Sequence, residues 1–140
     1  MEQVKVFDSL PKEAIYIRTT VFVIEQGFKE EFDTVDNDCL HFVYYIDENP
    51  IGVARVYFSK EHNCYSIGRF AILKEYRRSH KGQLLLKEIE SYMLEHYGHV
   101  TLGLSSQERA LPFYEACGYK IMSNMYLDED YPHYWMEKTI

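Results

Sequence analysis

A strand, a short basic loop and a long amphipathic helix follow one another in residues 67–97, and this order constrains the fold more than any other part of the sequence. Residues 67–73 have an apolar strand pattern, residues 74–81 are basic, and Gly82 opens a helix whose apolar residues recur with the 3.6-residue period. The first N–H groups of a helix have no partner within it, and the helix dipole favours negative charge there. The sequence therefore predicts an anion site, for which a phosphate-bearing cofactor is a natural ligand.

The loop 74–81 is a basic island on an acidic chain. It has four basic residues and one acidic residue, a net charge of +3, whereas the whole chain carries −7 and the remainder therefore −10. An isolated patch of this kind favours one anionic ligand over nucleic acid, which needs an extended positive surface. The alternative is an ordinary solvated turn.

Length and composition predict one folded domain, residues 1–140, with 46% hydrophobic and 16% aromatic residues. We expect no membrane partner, because no apolar run approaches the roughly 20 residues of a membrane span. The first residues lack the apolar segment of a signal peptide, so we expect a cytoplasmic protein. Three widely spaced cysteines without a Cys-x-x-Cys pair indicate reduced thiols and no metal site.

The pattern of apolar and turn residues predicts a mixed α/β fold with the order β-α-β-β-β-α-β-α-β-β. Residues 40–73 have the pattern of an antiparallel meander. Ser105 or Ser106 is predicted to cap the third helix. The predicted strands cover residues 4–7, 40–46, 51–58, 64–73, 100–104, 119–126 and 133–138, and the predicted helices cover residues 9–25, 82–97 and 107–117.

Several motifs in this order resemble the Gcn5-related N-acetyltransferase (GNAT) superfamily over essentially the whole chain. Residues 77–82, Arg-Arg-Ser-His-Lys-Gly, resemble the pyrophosphate loop of the family, Gln/Arg-x-x-Gly-x-Gly/Ala. Residues 112–119 resemble its later Phe-Tyr…Gly-Phe/Tyr signature. Residues 18–27, residues 67–71 and the pair Pro132-His133 are similar to one bacterial subgroup of small acetyltransferases.

The resemblance implies a central mixed, mostly antiparallel sheet of 6–7 strands flanked by 3–4 helices. It implies transfer of an acetyl group from acetyl-coenzyme A to a primary amine of a small molecule or peptide, by direct attack and without a metal. The alternative is a non-catalytic acyl-coenzyme A sensor or interaction module with a degenerate loop. Many relatives dimerise, and the aromatic segment 126–135 is a candidate surface for a homodimer.

The resemblance also implies the residues of the donor site. Seven consecutive residues would hold the pyrophosphate, and a short strand segment would pair with the pantetheine arm. A backbone N–H near Phe70 or Ile72 would stabilise the oxyanion. His80 and Arg78 stand where glycine is common, so they either obstruct the phosphates or bind them through their side chains. The implied donor residues are Phe70, Ala71, Ile72, Arg77, Arg78, Ser79, His80, Lys81, Gly82, Gln83 and Tyr114.

Tyr114 aligns with the frequent general acid of the family, and the alternative is a core tyrosine. Glu25 is the first candidate for the general base. The segment 25–38 has a net charge of −5, which predicts either an acidic lip for a cationic amine or a solvated loop. Arg69 either neutralises a buried carboxylate or points into the cleft, and His133 either faces the acceptor or begins a strand. The candidate acceptor residues are Glu30, Glu31, Arg69 and His133, with Glu30, Glu31 and Asp33 as further candidate bases.

Overall fold

The computed structural model describes residues 1–29 and 31–140. In these residues eight strands form one sheet, and three α-helices pack against it. The strands are β1 (Glu2–Phe7), β2 (Leu40–Ile46), β3 (Asn49–Ser59), β4 (Cys64–Ile72), β5 (Thr101–Gln107), β6 (Lys120–Ile121), β7 (Tyr126–Asp128) and β8 (Tyr131–Thr139), and the helices are α1 (Lys12–Arg18), α2 (Lys81–Tyr97) and α3 (Leu111–Ala116).

The strands have the order β1-β2-β3-β4-β5-β8-β6, and β7 pairs with β8. All of these pairs are antiparallel except β4 with β5, which is parallel because α2 connects the two strands. The parallel pair is therefore the one place where the two halves of the sheet join through a crossover helix.

The sheet carries a hydrophobic core on each face. Along β2 the side chains alternate, so that Phe42 and Tyr44 pack with α2 on one face while Val43 and Tyr45 pack with α1 on the other. Ile89 and Met93 of α2 are completely buried in the first core. This two-sided burial explains why the middle of β2 reads as a continuous apolar run.

The predicted fold class is confirmed, and the sheet has eight strands rather than six to seven. The difference lies near the C-terminus, where the predicted strand 119–126 is replaced by the short strands β6 and β7. Between them Ser123 Oγ accepts from the backbone N–H of Trp135, so the chain bends away from continuous pairing. The described chain therefore has one more strand here than the sequence predicted.

Two predicted helices differ from those in the structure. The first begins after Pro11 and continues beyond Arg18 as a wider π-helical turn, Thr19–Glu25, in the β-branched run of the sequence. The prediction that Ser105 or Ser106 caps the third helix is wrong. Both lie in β5, which continues to Gln107 because β8 pairs with it over its whole length.

A 3₁₀ turn, Thr34–Asp38, lies in the segment that the sequence predicted as a loop. Its N-terminus is closed by a capping box between Asp33 and Asp36. In the part of the chain that the structure describes, no helix is long and apolar enough to cross a membrane.

Candidate active site

The parallel strands β4 and β5 separate at the centre of the sheet. They pair only from Tyr65 opposite Leu102 to Ile67 opposite Leu104. Beyond this point the register of β4 with β3 shifts, and Arg69 takes a left-handed backbone conformation, φ 49°. Such a bulge bends its strand and interrupts pairing. The result is a V-shaped opening with free main-chain groups on its β4 side.

A cavity of about 520 Å³ lies at the helix side of this opening. Its walls contain nearly all of the predicted donor residues. Two predictions differ, because Ser79 is not in its wall and Tyr114 lines a neighbouring cavity instead. The lining residues from the prediction are Phe70, Ala71, Ile72, Arg77, Arg78, His80, Lys81, Gly82 and Gln83.

The loop before α2 has the backbone shape that glycine favours although no glycine occupies the key positions. Arg78 and His80 both have φ 63°, and the left-handed region costs a non-glycine residue roughly 1–2 kcal/mol. His80 is the residue before the first turn of α2, and its carbonyl accepts from the Leu84 N–H. The N–H groups at the start of α2 therefore remain directed at the cavity. Ser79 Oγ donates instead to the Tyr76 carbonyl at 2.8 Å.

Two cations of the loop form ion pairs. Arg77 donates to both oxygens of Glu25, at 2.6 and 2.8 Å, and Lys81 donates to Glu2 at 2.8 Å. The hydrogen bonds from Arg77 lower the pKa of Glu25. A carboxylate with both oxygens occupied and a lowered pKa is a poor proton acceptor. The geometry therefore assigns Glu25 to holding the loop and argues against its predicted role as general base.

Backbone N–H groups of β4 point into the opening. The Leu73 N–H donates to the Ile51 carbonyl on β3. Because N–H directions alternate along a strand, the Ile72 N–H is directed to the opposite side, where β5 no longer pairs. The Ile72 carbonyl accepts from Arg77 Nε at 2.8 Å. Ile72 thus offers its N–H to a ligand, while its carbonyl already accepts one hydrogen bond from Arg77.

A second cavity, of about 830 Å³, lies on the other side of the opening. It has Tyr114 in its wall, packed edge-on against Phe70. Burial raises the pKa of the Tyr114 hydroxyl, which therefore keeps its proton at neutral pH. The two cavities share four lining residues, Gln26, Phe70, Arg109 and Ala110.

Three carboxylates of the segment 31–36 are paired with three arginines, which argues against the acidic lip, one of the two alternatives that the sequence left open. Arg18 binds Glu31 and Asp36, each at 2.8 Å, and is 1% exposed. Burial would raise the pKa of Asp36, but hydrogen bonds from Arg18 and Arg55 lower it to about 2. Burial raises the pKa of Glu31. Glu30 lies outside the described residues.

Arg69 both pairs with a buried carboxylate and lines a cavity, which are the two alternatives that the sequence left open. Its guanidinium lies 2.9 Å from Glu31 Oε2, and it also lines the larger cavity. His133 lines the same cavity and is 6% exposed, with Nδ1 2.9 Å from the Tyr131 carbonyl. Of the predicted acceptor residues, Glu31, Arg69 and His133 thus meet in one cavity.

Asp36, Cys39 and His41 offer three potential metal ligands within 4.8 Å of one another. Asp36 is already bound by two arginines, and His41 Nε2 lies 2.9 Å from the Asp36 carbonyl. Burial raises the pKa of the Cys39 thiol to about 11. Two fixed cations and a protonated thiol disfavour a metal ion here.

Three of the four shared residues, Gln26, Arg109 and Ala110, are absent from the site predicted from the sequence. Gln26 follows the predicted first helix, and Gln107 Nε2 donates to its Oε1 at 3.1 Å. Gln26 lies in the family-like segment 18–27 and Arg109 in no motif, and only the folded chain brings both residues to the boundary of the two cavities.

The family model of the acetyltransferase (GNAT) domain matches residues 7–140. The chain belongs to the GNAT acetyltransferase family. A GNAT relative, the uncharacterized N-acetyltransferase YjcF of Bacillus subtilis, is 33% identical over 130 residues that cover 91% of each chain. A solved structure described as an N-acetyltransferase of Lactobacillus plantarum has a TM-score of 0.88 and 27% identity, and the match covers 99% of this chain and 97% of that one.

A more distant solved structure is an aminoglycoside 6'-N-acetyltransferase complexed with coenzyme A. It has a TM-score of 0.75 and 15% identity, over 98% of this chain and 96% of that chain. At this identity the likeness establishes the shared fold.

Proposed function

We propose that this GNAT protein transfers the acetyl group of acetyl-coenzyme A to a primary amine of a small molecule or peptide, in one direct step. The observation that carries this proposal is the pair of cavities that meet where β4 leaves β5, because a transferase must bring two substrates to one point. The smaller cavity takes the donor and the larger cavity takes the acceptor.

The chemistry of the smaller cavity supports coenzyme A as its ligand. A helix N-terminus with free N–H groups and a basic loop suit a pyrophosphate. Arg78 lines this cavity, and no ion pair to another described residue occupies its guanidinium. The unpaired β4 edge suits the amide groups of the pantetheine arm, which can bind as an added strand. The coenzyme A complex of the related aminoglycoside acetyltransferase fold agrees with this assignment.

At the junction of the cavities the protein contributes two groups to acyl transfer. The Ile72 N–H, or that of Phe70 two residues before it, stabilises the oxyanion of the tetrahedral intermediate. Tyr114 keeps its proton and donates it to the departing thiolate. Neither step requires a metal.

The second candidate is an acyl-coenzyme A sensor. It is favoured by the pairing of Arg77 with Glu25 and of Lys81 with Glu2, which reduces the positive charge that a pyrophosphate would meet. A second observation in favour of a sensor is that the side chains of Arg78 and His80 occupy space that glycine would leave free for the phosphates.

Thermal unfolding with acetyl-coenzyme A, with coenzyme A and without ligand separates these functions, combined with release of free thiol on a panel of amines. An enzyme is stabilised by about 2.7 kcal/mol at a hundred times the dissociation constant and releases thiol only with an amine. Stabilisation without turnover supports the sensor. No stabilisation at millimolar acetyl-coenzyme A contradicts both.

A further inference from the structure

His133 lies at the end of the acceptor cavity that is nearest the donor cavity. It stands opposite Gln107 in the β5–β8 pairing. Directly opposed residues of an antiparallel pair have side chains on the same face, with Cβ atoms about 4.5–5.5 Å apart. Gln107 in turn binds Gln26, one of the four residues that border both cavities. His133 is therefore one side chain away from the place where the cavities meet.

The hydrogen bond to Tyr131 determines which nitrogen of His133 is basic. A carbonyl oxygen only accepts, so Nδ1 carries the hydrogen, and the neutral ring then has its lone pair on Nε2. Among residues 1–29 and 31–140, none forms a hydrogen bond with Nε2. The ring of Tyr126 stacks on the imidazole, with centroids 6.1 Å apart. The ring is thus fixed with its basic nitrogen unused beside the cavity.

Several other acidic and basic groups line the two cavities. Glu25 is held by Arg77, and Glu31 is held by Arg18 and Arg69. Glu61 and His62 precede β4, whose residues 64–70 extend about 20 Å at ~3.3 Å per residue. They lie toward the opposite end of β4 from Phe70, and the ring of His62 is stacked on Trp135. Asp128 and Glu129, which also line the cavity, are exposed at the β7–β8 turn.

We propose that Nε2 of His133 accepts a proton from the ammonium group of the acceptor, a role that rests on the transferase activity proposed above. An ammonium nitrogen has no lone pair and must lose one proton before it attacks. The amine then forms the C–N bond with the thioester carbon, and the carbonyl electron pair moves to oxygen.

Collapse of this intermediate breaks the C–S bond. Tyr114 gives its proton to the thiolate sulfur, and a second proton from the nitrogen restores the tyrosine. The imidazolium of His133 releases its proton to solvent. The products are the amide, the coenzyme A thiol and one proton, so charge and atoms balance.

His133→Asn tests this role while keeping the structural hydrogen bond. The asparagine amide can donate to the Tyr131 carbonyl as Nδ1 does, but it has no basic nitrogen. We expect kcat/KM with n-butylamine, an ammonium ion at neutral pH, to fall about 100-fold. With hydroxylamine, which is un-ionised at neutral pH, the variant should match the wild type, and its thermal stabilisation by acetyl-coenzyme A should be unchanged. His96→Asn, an exposed histidine on α2, is the matched control and should change neither rate.

The pH profile gives a second readout that a merely structural role would not move. In the wild type, kcat/KM for n-butylamine falls at low pH as the imidazole becomes protonated, and in His133→Asn this acid limb disappears. The other titratable and charged groups around the cavity remain in the variant and serve as an internal control. They are Glu31, Arg55, Tyr57, Glu61, His62, Arg69, Arg109, Tyr114, Tyr126, Asp128 and Glu129.

Two results overturn the role of His133. One is an unchanged kcat/KM for n-butylamine in His133→Asn, and the other is an equal loss with both amines. A wild-type protein that acetylates neither amine contradicts the proposed function itself. That result does not depend on the variant, so the two failures are distinguishable.

Discussion

The guanidinium of Arg77 binds both carboxylate oxygens of Glu25, at 2.6 and 2.8 Å, and connects the π-helical turn after α1 to the loop before α2. The same guanidinium donates to the Ile72 carbonyl at the end of β4. One side chain thus holds together three elements that surround the donor cavity. The pairing also argues against Glu25, the first predicted base, as the proton acceptor.

Glu25→Gln should therefore leave the pH profile of turnover unchanged. Because Arg77 lowers the pKa of Glu25, the stability from the pair is present above the unfolded pKa and is lost as the pH falls through the folded one. The pair is about one-third exposed, so we expect a loss below ~1 kcal/mol at neutral pH. Urea unfolding at several pH values measures it. If kcat/KM of this variant no longer fell at low pH, Glu25 would be restored as the candidate base.

His80→Gly should not destabilise the fold. The left-handed φ of 63° costs histidine roughly 1–2 kcal/mol, which glycine avoids, while its greater freedom when unfolded costs about 0.4–1 kcal/mol. We expect equal or higher stability by thermal unfolding. Glu95→Gly, exposed within α2, is the control and should lose about 1 kcal/mol.

The affinity of His80→Gly for acetyl-coenzyme A, measured by calorimetry, decides between the two roles of the imidazole. Tighter binding means that the ring obstructs the phosphates, and weaker binding means that it contacts them. The backbone cradle is the same in both cases, so the comparison isolates the side chain.

Asp36→Asn should destabilise the protein most near neutral pH. Its pKa of about 2 lies below the ordinary 3.8, so its stabilisation is complete above about pH 4 and is lost as the pH falls toward 2. Removing one charge from a buried pair costs about 3–5 kcal/mol. The difference between variant and wild type should shrink in acid. Asp38→Asn, exposed in the same turn, should stay within about 0.5 kcal/mol of the wild type.

Gly103→Ala should destabilise the sheet and disturb the acceptor cavity. A Cβ at this position would lie 2.3 Å from Trp135 Cζ2 and 2.9 Å from Cys64 Sγ. Overpacking of this kind costs about 1–3 kcal/mol, and Trp135 lines the larger cavity. Gly68→Ala is the control, because its nearest neighbour, Arg55 Nε, is 3.5 Å away. Similar unfolding midpoints for the two variants would contradict this packing argument.

Tyr114→Phe should lower kcat about 100-fold, the smaller end of general-acid effects, because a thiolate already leaves readily. Stability should be unchanged, since the Tyr114 hydroxyl forms no hydrogen bond to another described residue. Tyr119→Phe should have the opposite effects on stability and kcat, because the hydroxyl of Tyr119 donates to Glu90 at 2.9 Å. That variant should lose about 1 kcal/mol of stability and keep its kcat. Equal kcat values for wild type and Tyr114→Phe would remove the tyrosine from the mechanism.

The meander and the long helix could be predicted from the sequence because their signals are local. β2 and α2 agree with the prediction to within one residue, since burial of one or two faces imposes a period that the residues display. Strand β5 was predicted too short because its last residues, Ser105 to Gln107, are polar. They are extended only because β8 pairs with them, which is a contact between distant parts of the chain.

In the charged segment 25–38, too, the sequence shows the local composition, whereas the contacts come from distant parts of the chain. Its sequence specifies the number of carboxylates but not their partners. Arg18, Arg55 and Arg69 lie on α1, β3 and β4, and the fold brings all three beneath this segment. Charge counting along the chain could therefore not decide between an acidic lip and a solvated loop, whereas the structure pairs Glu31, Asp33 and Asp36 with arginines.

By itself the sequence determined the order of strand, basic loop and helix, and with it the family and most of the residues that line the smaller cavity. Only the tertiary structure decided that Arg78 and His80 keep a glycine-like backbone and that Glu25 is bound to Arg77. It likewise brought His133 close to the junction of the cavities. The physical reason is that periodicity and turn chemistry act over a few residues, whereas hydrogen-bond partners and cavity walls come from residues far apart in the chain.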